Sequence, residues 1–248
     1  MSIYERAAEM LLNSRSTVVL TGAGISTDSG IPDFRSPGSG LWEKVDPMEA
    51  LSTSVLYKDP DKFYKVGFRI IMSMRDAKPN KAHYALAKLE QEGLIELLIT
   101  QNIDNLHFKA GSKKVYEVHG NTRTCSCDRC GAQYDIDIVA KKVDGGEVPP
   151  ICSCKGIIRP DVVLFGDMLP QCFNDGVKAV EKADLLIVIG SSLTVSPVNY
   201  LADICKKLMI INYSETPFDR LSSLNIREGI SDTLEKIIEI VEKSKGQG

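Results

Sequence analysis

Four cysteines have the spacing of metal ligands. Cys127 and Cys130 form a Cys-x-x-Cys pair, and Cys152 and Cys154 form a second, tighter pair later in the chain. Tetrahedral zinc prefers four soft ligands, and two close pairs make the two knuckles of a zinc ribbon. Because four thiolates leave no coordination position for water, the predicted zinc ion is structural. A redox pair or unrelated thiols are the other interpretations, and Cys125 is an unassigned fifth candidate.

Polar side chains follow several predicted strands. In open parallel sheets, ligands bind beyond the carboxyl ends of the strands. The residues at these ends are Gln101, Asn102 and Asp104 after one strand, His119 after another, Ser191 and Ser192 after a third, and Asn212 after a fourth. These side chains suit ribose hydroxyls and a carboxamide, whereas a metal or acyl-enzyme site needs other groups.

His119 is the best-placed general base. An imidazole with an ordinary pKa near 6.5 accepts a proton at neutral pH. A structural role is the alternative, but a position beside Gly120 at a strand end favours catalysis. His83 and His107 fall in predicted helices and are interpreted as packing or capping residues. No serine stands in a Gly-x-Ser-x-Gly elbow, so a serine hydrolase has little support.

A glycine-rich loop follows the first predicted strand. Gly22 and Gly24 would let the backbone approach a phosphate closely. In the dinucleotide fingerprint a third glycine comes next, but this chain has Thr27, and the later acidic residue is missing. A phosphate-binding loop is therefore predicted, a hydride-transfer dehydrogenase is not, and a tight turn without a ligand remains the alternative.

The elements that must position these residues alternate between strands and helices. β-branched apolar runs predict strands, and apolar residues at helical spacing predict helices. The predicted strands are Thr17–Thr21, Leu97–Thr100, Val115–Val118, Leu185–Ile189 and Met209–Ile211, and the predicted helices include Asn80–Glu92, Asp104–Ala110 and Asp232–Lys243. Gly93 suits a left-handed C-terminal cap. The alternation predicts an α/β fold with a parallel sheet covered by helices on both faces.

Two stretches interrupt this alternation. Residues 33–80 contain no clear strand, and residues 122–158 hold five of the seven cysteines. Both are predicted insertions, the first helical or loop-like and the second a zinc ribbon, which together form a smaller module. Residues 1–32, 81–121 and 159–248 then form the sheet domain.

The composition limits the classes of protein. With 248 residues, of which 43% are hydrophobic and 25% charged, the chain predicts one large domain or a domain carrying an inserted smaller one. A formal charge of −3 argues against a dedicated nucleic-acid binder. No apolar run reaches the length of a membrane span, and the N-terminus lacks signal-peptide order, so a cytoplasmic protein with reduced thiols is expected.

Together these segments resemble the sirtuin family of NAD-dependent protein deacylases. The matching motifs stand in the family's order and cover nearly the whole chain, from about Met10 to Lys243. They are Gly22-Ala23-Gly24-Ile25-Ser26, Ser29-Gly30-Ile31-Pro32-Asp33-Phe34-Arg35, Thr100-Gln101-Asn102-Ile103-Asp104, His119-Gly120-Asn121, Arg159-Pro160-Asp161 with Phe165-Gly166, and Gly190-Ser191-Ser192-Leu193.

The resemblance implies a fold and a site. The fold is a Rossmann-like, doubly wound parallel sheet with an inserted small domain of Cys₄ zinc ribbon and helical module, and the active site lies between the two. The implied NAD-binding residues are Gly22, Ala23, Gly24, Thr27, Phe34, Arg35, Gln101, Ile103, Asp104, Gly190, Ser191, Ser192 and Asn212. The implied catalytic residues are His119 as the base and Asn102, and the implied peptide-binding residues are Val163, Phe165, Gly166 and Val195.

The implied reaction transfers the acetyl group of acetyl-lysine to ADP-ribose. Its products are nicotinamide, the free lysine and O-acetyl-ADP-ribose, and its partners are acetylated proteins or peptides. Family members that remove succinyl or malonyl groups use a Tyr and, three positions later, an Arg. Aligned from Asp59-Pro60, those positions fall on Gly67 and Ile70, which bind no carboxylate, although Arg69 is one position away. Deacetylation is therefore expected to outpace desuccinylation.

Three other functions stay open at this point. An ADP-ribosyltransferase would keep the fold and change the acceptor to a protein. A non-catalytic zinc module would bind NAD only as a sensed ligand. A hydride-transfer enzyme would use the nicotinamide ring itself, although the interrupted glycine fingerprint speaks against it.

Overall fold

The computed structural model describes residues 1–33 and 46–245. The strands in this part of the chain are β1 (Thr17–Thr21), β2 (Leu97–Thr100), β3 (Val115–Glu117), β4 (Gly120–Cys127), β5 (Gln133–Asp135), β6 (Ile158–Val162), β7 (Leu185–Ile189), β8 (Leu208–Ile211) and β9 (Leu224–Ile226). The helices are α1 (Ile3–Leu12), α2 (Pro47–Ala50), α3 (Thr53–Lys58), α4 (Pro60–Lys62), α5 (Phe68–Ser73), α6 (Lys81–Gln91), α7 (Leu106–Lys109), α8 (Ile136–Asp144), α9 (Gln171–Lys182), α10 (Leu201–Ile204) and α11 (Ile230–Lys245). A 3₁₀ helix (Ala23–Ser29) follows β1, and a second one (Val198–Tyr200) precedes α10. A π-helical turn (Phe63–Gly67) joins α4 to α5.

The main sheet is parallel throughout. Its strand order is β3-β2-β1-β7-β8-β9, so the chain runs outward from β1 in one direction and returns beside it to run outward in the other. This order confirms the predicted doubly wound sheet. The reversal lies between β1 and β7, and ligands of open α/β sheets bind in the crevice outside the carboxyl ends at such a point.

Helices cover both faces of this sheet, which explains the uninterrupted apolar strands. Every residue of β1 is buried. Val19 packs in a core with α1, α6 and α11, whereas Val18 and Leu20 pack in a second core with α9 and α10. Alternate side chains of one strand therefore serve two separate cores, as the pleat of a strand requires.

Local signals predict several helix ends correctly. α6 begins after Asn80, whose side chain accepts from the amide of Ala82 at 2.9 Å, and it ends before Gly93 at φ +75°. α7 is shorter than predicted because the Asp104 carboxylate accepts from the Leu106 amide at 2.9 Å and Asn105 lies at φ +65°.

A second, smaller sheet is antiparallel, with the order β5-β4-β6. It shares one hydrophobic core with the helices between residues 47 and 73. Tyr64 shows how closely the two parts fit, because its buried ring contacts Phe63 and Phe68 and its hydroxyl donates to the Ile158 carbonyl at 2.6 Å. The helices between residues 47 and 73 (the helical segment) and the small sheet with its cysteines (the ribbon) therefore stabilise each other through one core. The boundaries assigned to the two insertions stay a prediction.

None of the helices in the described ranges 1–33 and 46–245 is both long and apolar enough to cross a bilayer.

Candidate active site

Two glycine loops meet where the main sheet reverses. The amide of Gly22 donates to the Ile189 carbonyl at 3.0 Å, and the amide of Gly24 donates to the Gly190 carbonyl at 2.9 Å. A Cβ on Gly190, which lies at φ +63°, would stand 2.4 Å from the Ile25 nitrogen. These glycines are therefore required for the two loops to pack against each other, a role that the sequence motif does not reveal.

A buried hydrogen-bonded group follows β1 and β2. The Ser26 hydroxyl donates to Asp104 Oδ2 at 2.6 Å and accepts from Asn102 Nδ2 at 3.1 Å. Asn102 Nδ2 also donates to the Gly22 carbonyl at 3.2 Å. An amide, a hydroxyl and a carboxylate are thus held in one arrangement. Ser26 is the member that sequence reasoning missed, although its place in the Gly-Ala-Gly-Ile-Ser motif was a signal for it.

His83 and His107 are buried behind this group. Their rings lie 4.9 Å apart, and His83 Nδ1 is 3.0 Å from the Oδ1 of the helix-capping Asn80. Burial lowers the pKa of His83 to about 4 and lowers the pKa of His107 as well, so both are neutral. Their prediction as packing or capping residues is confirmed.

His119 has one ring nitrogen committed to the backbone. The distance from Nδ1 to the Gln101 carbonyl is 2.9 Å, and because a carbonyl only accepts, Nδ1 carries the proton. Nε2 is then the basic nitrogen. Burial lowers the pKa of His119 below 6.5, and the hydrogen bond to Gln101 opposes this only in part. The imidazole is therefore neutral and able to accept a proton at neutral pH.

The predicted catalytic, nicotinamide-pocket and peptide residues line one cavity of about 280 Å³. Those on its wall are Ala23, Gln101, Asn102, Ile103, Asp104, His119, Val163, Phe165, Gly166 and Val195, together with Ser26. The residues that follow β1, β2, β3 and β7 converge because these strand ends lie side by side at one edge of the main sheet, whereas Val163, Phe165 and Gly166 follow β6 of the small sheet.

The other predicted NAD residues that the structure describes follow β1, β7 and β8 and do not line this cavity. Ser191 Oγ accepts from Gln101 Nε2 at 2.9 Å, and Ser192 Oγ is 2.8 Å from Thr194 Oγ1. Thr27 Oγ1 donates to the Gly24 carbonyl at 3.0 Å, and Asn212 Nδ2 donates to the Ser214 carbonyl at 2.8 Å. The predicted Phe34 and Arg35 lie outside the described residues.

The segment from Val163 to Gly166 is fixed from both sides. The Val163 amide donates to the His119 carbonyl at 2.9 Å, which ties this segment to the base. The Phe165 amide donates to the Leu51 carbonyl at 2.9 Å, which ties it to the helical segment. Gly166 lies at φ +96°, and a Cβ there would be 2.6 Å from Thr53 Oγ1, so only glycine fits.

One end of the cavity is apolar and formed by the helical segment. Four residues that line it are Leu51, Ile70, Ile71 and Met74, and sequence reasoning picked out only Ile70 among them. A Cβ on Gly67 would be 2.1 Å from the Ala50 carbonyl oxygen, so a larger residue does not fit at that position. Arg69 is turned to an exposed ion pair with Asp144 at 2.6 Å. No lysine or arginine stands among the described residues on the cavity wall.

The four predicted metal ligands come together in the small sheet region. The Sγ atoms of Cys127, Cys130, Cys152 and Cys154 all lie within 4.8 Å of one another. Cys127 and Cys154 are 3.4 Å apart and Cys130 and Cys152 are 3.7 Å apart. Ligands of a tetrahedral zinc ion at about 2.3 Å are about 3.8 Å apart, so the donor set fits zinc. Cys125 is outside this group, buried in β4, and burial raises its pKa to about 12.

The tight Cys-x-Cys pair is closed by a turn. Lys155 lies at φ +73°, and the Cys152 amide donates to the Gly156 carbonyl at 2.9 Å. The Tyr134 hydroxyl donates to Cys152 Sγ at 3.0 Å, and this bond lowers the pKa of the Cys152 thiol to about 6. The thiolate of Cys152, which is the form that binds metal, is therefore favoured.

A doubly wound sheet, two glycine loops packed together at its reversal and a small module with four clustered cysteines define an α/β protein whose ligand site is expected at that reversal. Residues 22–197 match the model of the Sir2 family. The chain belongs to the Sir2 family, the sirtuins, which confirms the resemblance and the fold class.

Curated relatives are similar over nearly the full length. The NAD-dependent protein deacetylase 2 of Caldanaerobacter subterraneus subsp. tengcongensis is 56% identical over 241 residues, covering 97% of this chain and 96% of that protein. The NAD-dependent protein deacetylase of Saccharolobus solfataricus is 47% identical over 243 residues, covering 96% and 97%.

Solved structures have the same fold. A Sir2 histidine-to-alanine variant with deacetylated p53 peptide and 3′-O-acetyl-ADP-ribose superposes with a TM-score of 0.91 at 42% identity, covering 96% of this chain and 98% of that one. A Sir2 complex with p53 peptide and NAD⁺ has a TM-score of 0.87 at 41% identity and covers 100% of both chains.

Proposed function

We propose that this protein is an NAD-dependent protein lysine deacetylase, which transfers the acetyl group of acetyl-lysine to ADP-ribose and releases nicotinamide. The observation that carries the proposal is the convergence of His119, Asn102 and Asp104 on one cavity that reaches the Val163–Gly166 segment. Relatives named NAD-dependent protein deacetylase and solved complexes with p53 peptide and acetyl-ADP-ribose support the same activity.

The polar side chains that line the cavity suit NAD. Asn102 and Asp104 are almost fully buried, and buried amides and carboxylates are costly unless they have partners. The two N–H donors of a carboxamide match the acceptor oxygens of that pair, because both hydrogens of Asn102 Nδ2 already donate to Gly22 and Ser26. Bound NAD supplies a ribose carbon that becomes electrophilic as the charged nicotinamide leaves, and this carbon receives the acetyl oxygen.

The chain's own residues then orient the reactants and move the proton. Asp104 accepts from the carboxamide, and Ser26 holds the carboxylate in place. His119 Nε2 takes the proton from a ribose hydroxyl, because Nδ1 is committed to Gln101. The main contribution of the protein to the rate is to position the acetyl oxygen against the ribose carbon, because an amide oxygen is a weak nucleophile. The resemblance also implies that Phe34 covers the ribose face and keeps water from reacting there first.

The peptide substrate lies extended between the Val163–Gly166 segment and the loop at Val195. Main-chain hydrogen bonds join an extended peptide to a neighbouring edge and read little of its sequence. The acetyl-lysine side chain enters an apolar passage, where a neutral amide is tolerated and an unpaired ammonium is not. Acetylated proteins or peptides are therefore the partners, and no nucleic-acid partner is proposed.

A structural zinc ion held by Cys127, Cys130, Cys152 and Cys154 is part of the proposal. Four thiolates close its coordination shell, so zinc supplies folding free energy rather than chemistry. All seven thiols are free of disulfides, which supports the further proposal that the protein acts in the reducing cytoplasm.

The pH dependence follows from His119. The base must be unprotonated, so activity is present above its pKa in the folded protein and is lost as the pH falls through it. Because burial lowers this pKa, the acid limb of kcat/KM is expected to have its midpoint below pH 6.5. The measurement is a pH profile with a peptide that has no group titrating between about pH 5 and 7. A midpoint at or above 6.5 contradicts the expectation.

Acyl preference is a further prediction. Deacetylation is expected to exceed desuccinylation at least about 100-fold in kcat/KM on matched peptides, because the cavity wall formed by residues 1–33 and 46–245 offers no cation to a buried succinyl carboxylate. Ile70→Arg, which places a guanidinium on the cavity wall, should narrow this ratio. Arg69→Leu serves as the control and should leave the ratio unchanged, since Arg69 pairs with Asp144 at the surface. Comparable rates for the two acyl groups in the wild-type protein would refute the prediction.

The proposed function is tested by mass spectrometry of an acetylated peptide with and without NAD. Loss of the acetyl mass only with NAD, together with the appearance of O-acetyl-ADP-ribose, is the expected result. Labelled NAD distinguishes the alternatives, because an ADP-ribosyltransferase transfers the label to protein. A hydride-transfer enzyme would instead change the absorbance of the nicotinamide ring.

A further inference from the structure

Arg123 joins the two parts of the site that must act together. Its guanidinium donates to both carboxylate oxygens of Glu117, at 2.7 and 2.5 Å, and to Asn105 Oδ1 at 2.6 Å. We infer that Arg123 is a positioning residue, which holds the base His119 and the nicotinamide pocket in a fixed relation. This inference rests on the proposed function.

The partners of Arg123 belong to the two segments that carry the reacting groups. Glu117 ends β3, and the chain passes through His119 before β4 returns to Arg123. The ion pair therefore closes the chain reversal that presents the base. Asn105 directly follows Asp104, so the third hydrogen bond anchors the loop of the nicotinamide pocket. Arg123 does not itself line the cavity.

The backbone conformation of Asn105 explains why the hydrogen bond from Arg123 to its side chain matters. Asn105 lies at φ +65°, a left-handed conformation that asparagine tolerates better than most residues but that is still less favourable than the right-handed one. The next residue, Leu106, donates its amide to Asp104 Oδ1 at 2.9 Å, so the orientation of the Asp104 carboxylate depends on this turn. Holding Asn105 by its side chain therefore helps to keep the Asp104 carboxylate in place.

The surroundings of the guanidinium favour a strong and directional contact. The Glu117 side chain is 12% exposed and the Arg123 side chain is 38% exposed, so water screens their interaction less than it screens a pair in which both side chains are fully exposed. The guanidinium also lies 5.1 Å from the ring centroid of Phe108. Its planar fork makes a bidentate contact with Glu117 and also reaches Asn105, a geometry that the compact ammonium of lysine does not match.

The test compares Arg123→Lys with Arg75→Lys. Arg75 forms an exposed ion pair with Asp137 away from the cavity, so its variant is the matched control. For Arg123→Lys we expect kcat to fall about 10-fold with the peptide KM within about twofold, and half-inhibition by nicotinamide to need about fivefold more nicotinamide. Arg75→Lys should match the wild type in all three. Wild-type kcat and nicotinamide inhibition in a folded Arg123→Lys protein would overturn the inference.

A second variant separates positioning from folding. Asn105→Gly removes the side-chain link to Arg123 while glycine accepts the positive φ without strain. It should reproduce the weaker nicotinamide inhibition. In the double variant with Arg123→Lys, nicotinamide inhibition should weaken little beyond either single change, because both changes remove the same Arg123–Asn105 hydrogen bond. Unchanged inhibition in Asn105→Gly, or losses that multiply in the double variant, would overturn the inference. An inactive wild-type protein would instead refute the proposed function, and the two failures are thus distinct.

Discussion

Replacing His119 by alanine is expected to lower the rate of deacetylation at least about 100-fold, within the range that a general base contributes. The imidazole acts after nicotinamide has left, because its task is to take a proton from the ribose hydroxyl. Exchange of labelled nicotinamide into NAD in the presence of acetylated peptide should therefore persist in His119→Ala. Measuring both rates on one preparation separates loss of the base from loss of the site.

Two results would contradict this prediction. Full deacetylation by His119→Ala would remove the imidazole from the mechanism. Equal loss of deacetylation and nicotinamide exchange would place His119 at the first step or in the fold. A thermal unfolding curve close to that of the wild type serves as the control, since the hydrogen bond from Nδ1 to Gln101 is also removed.

The second large effect is expected for Cys130→Ala, which removes one of the four clustered thiols. Structural zinc contributes about 10–16 kcal/mol in isolated zinc-finger peptides, which is comparable to the whole stability of a typical domain. The small sheet and the helical segment share one core through Tyr64, and Leu164 of the cavity wall belongs to the same core, so unfolding of the ribbon would disturb that wall as well. Zinc content should fall below one per chain, and the unfolding midpoint should drop by at least about 10 °C.

Cys205→Ala is the matched control for this experiment. Cys205 directly follows α10 and lies outside the cysteine cluster. The variant should keep one zinc ion per chain and an unfolding midpoint close to the wild-type value. A stable, fully active Cys130→Ala protein that binds no zinc would remove the metal from the proposed structure.

The parts of the fold that were predictable depend on neighbours in the chain. β1, β2 and β7 have the predicted bounds because strands covered on both faces need unbroken apolar runs. The ends of α6 follow from Asn80 and Gly93, whose capping roles are set within a few residues. By contrast, β9 has three residues, too few to show any periodicity.

The candidate site likewise has features that the sequence predicts and features that it does not. The sequence by itself determined the chemical types available, including the base His119, the Asn102 and Asp104 pair and the four thiols, because each stands in a short, ordered motif. Only the tertiary structure decided which atoms meet. It brought Ser26 to Asp104, placed Ile71 on the cavity wall and excluded Cys125 from the thiol cluster. The reason is physical: a motif records residues adjacent in the chain, whereas these contacts depend on strand order, sheet register and the packing of segments far apart in sequence.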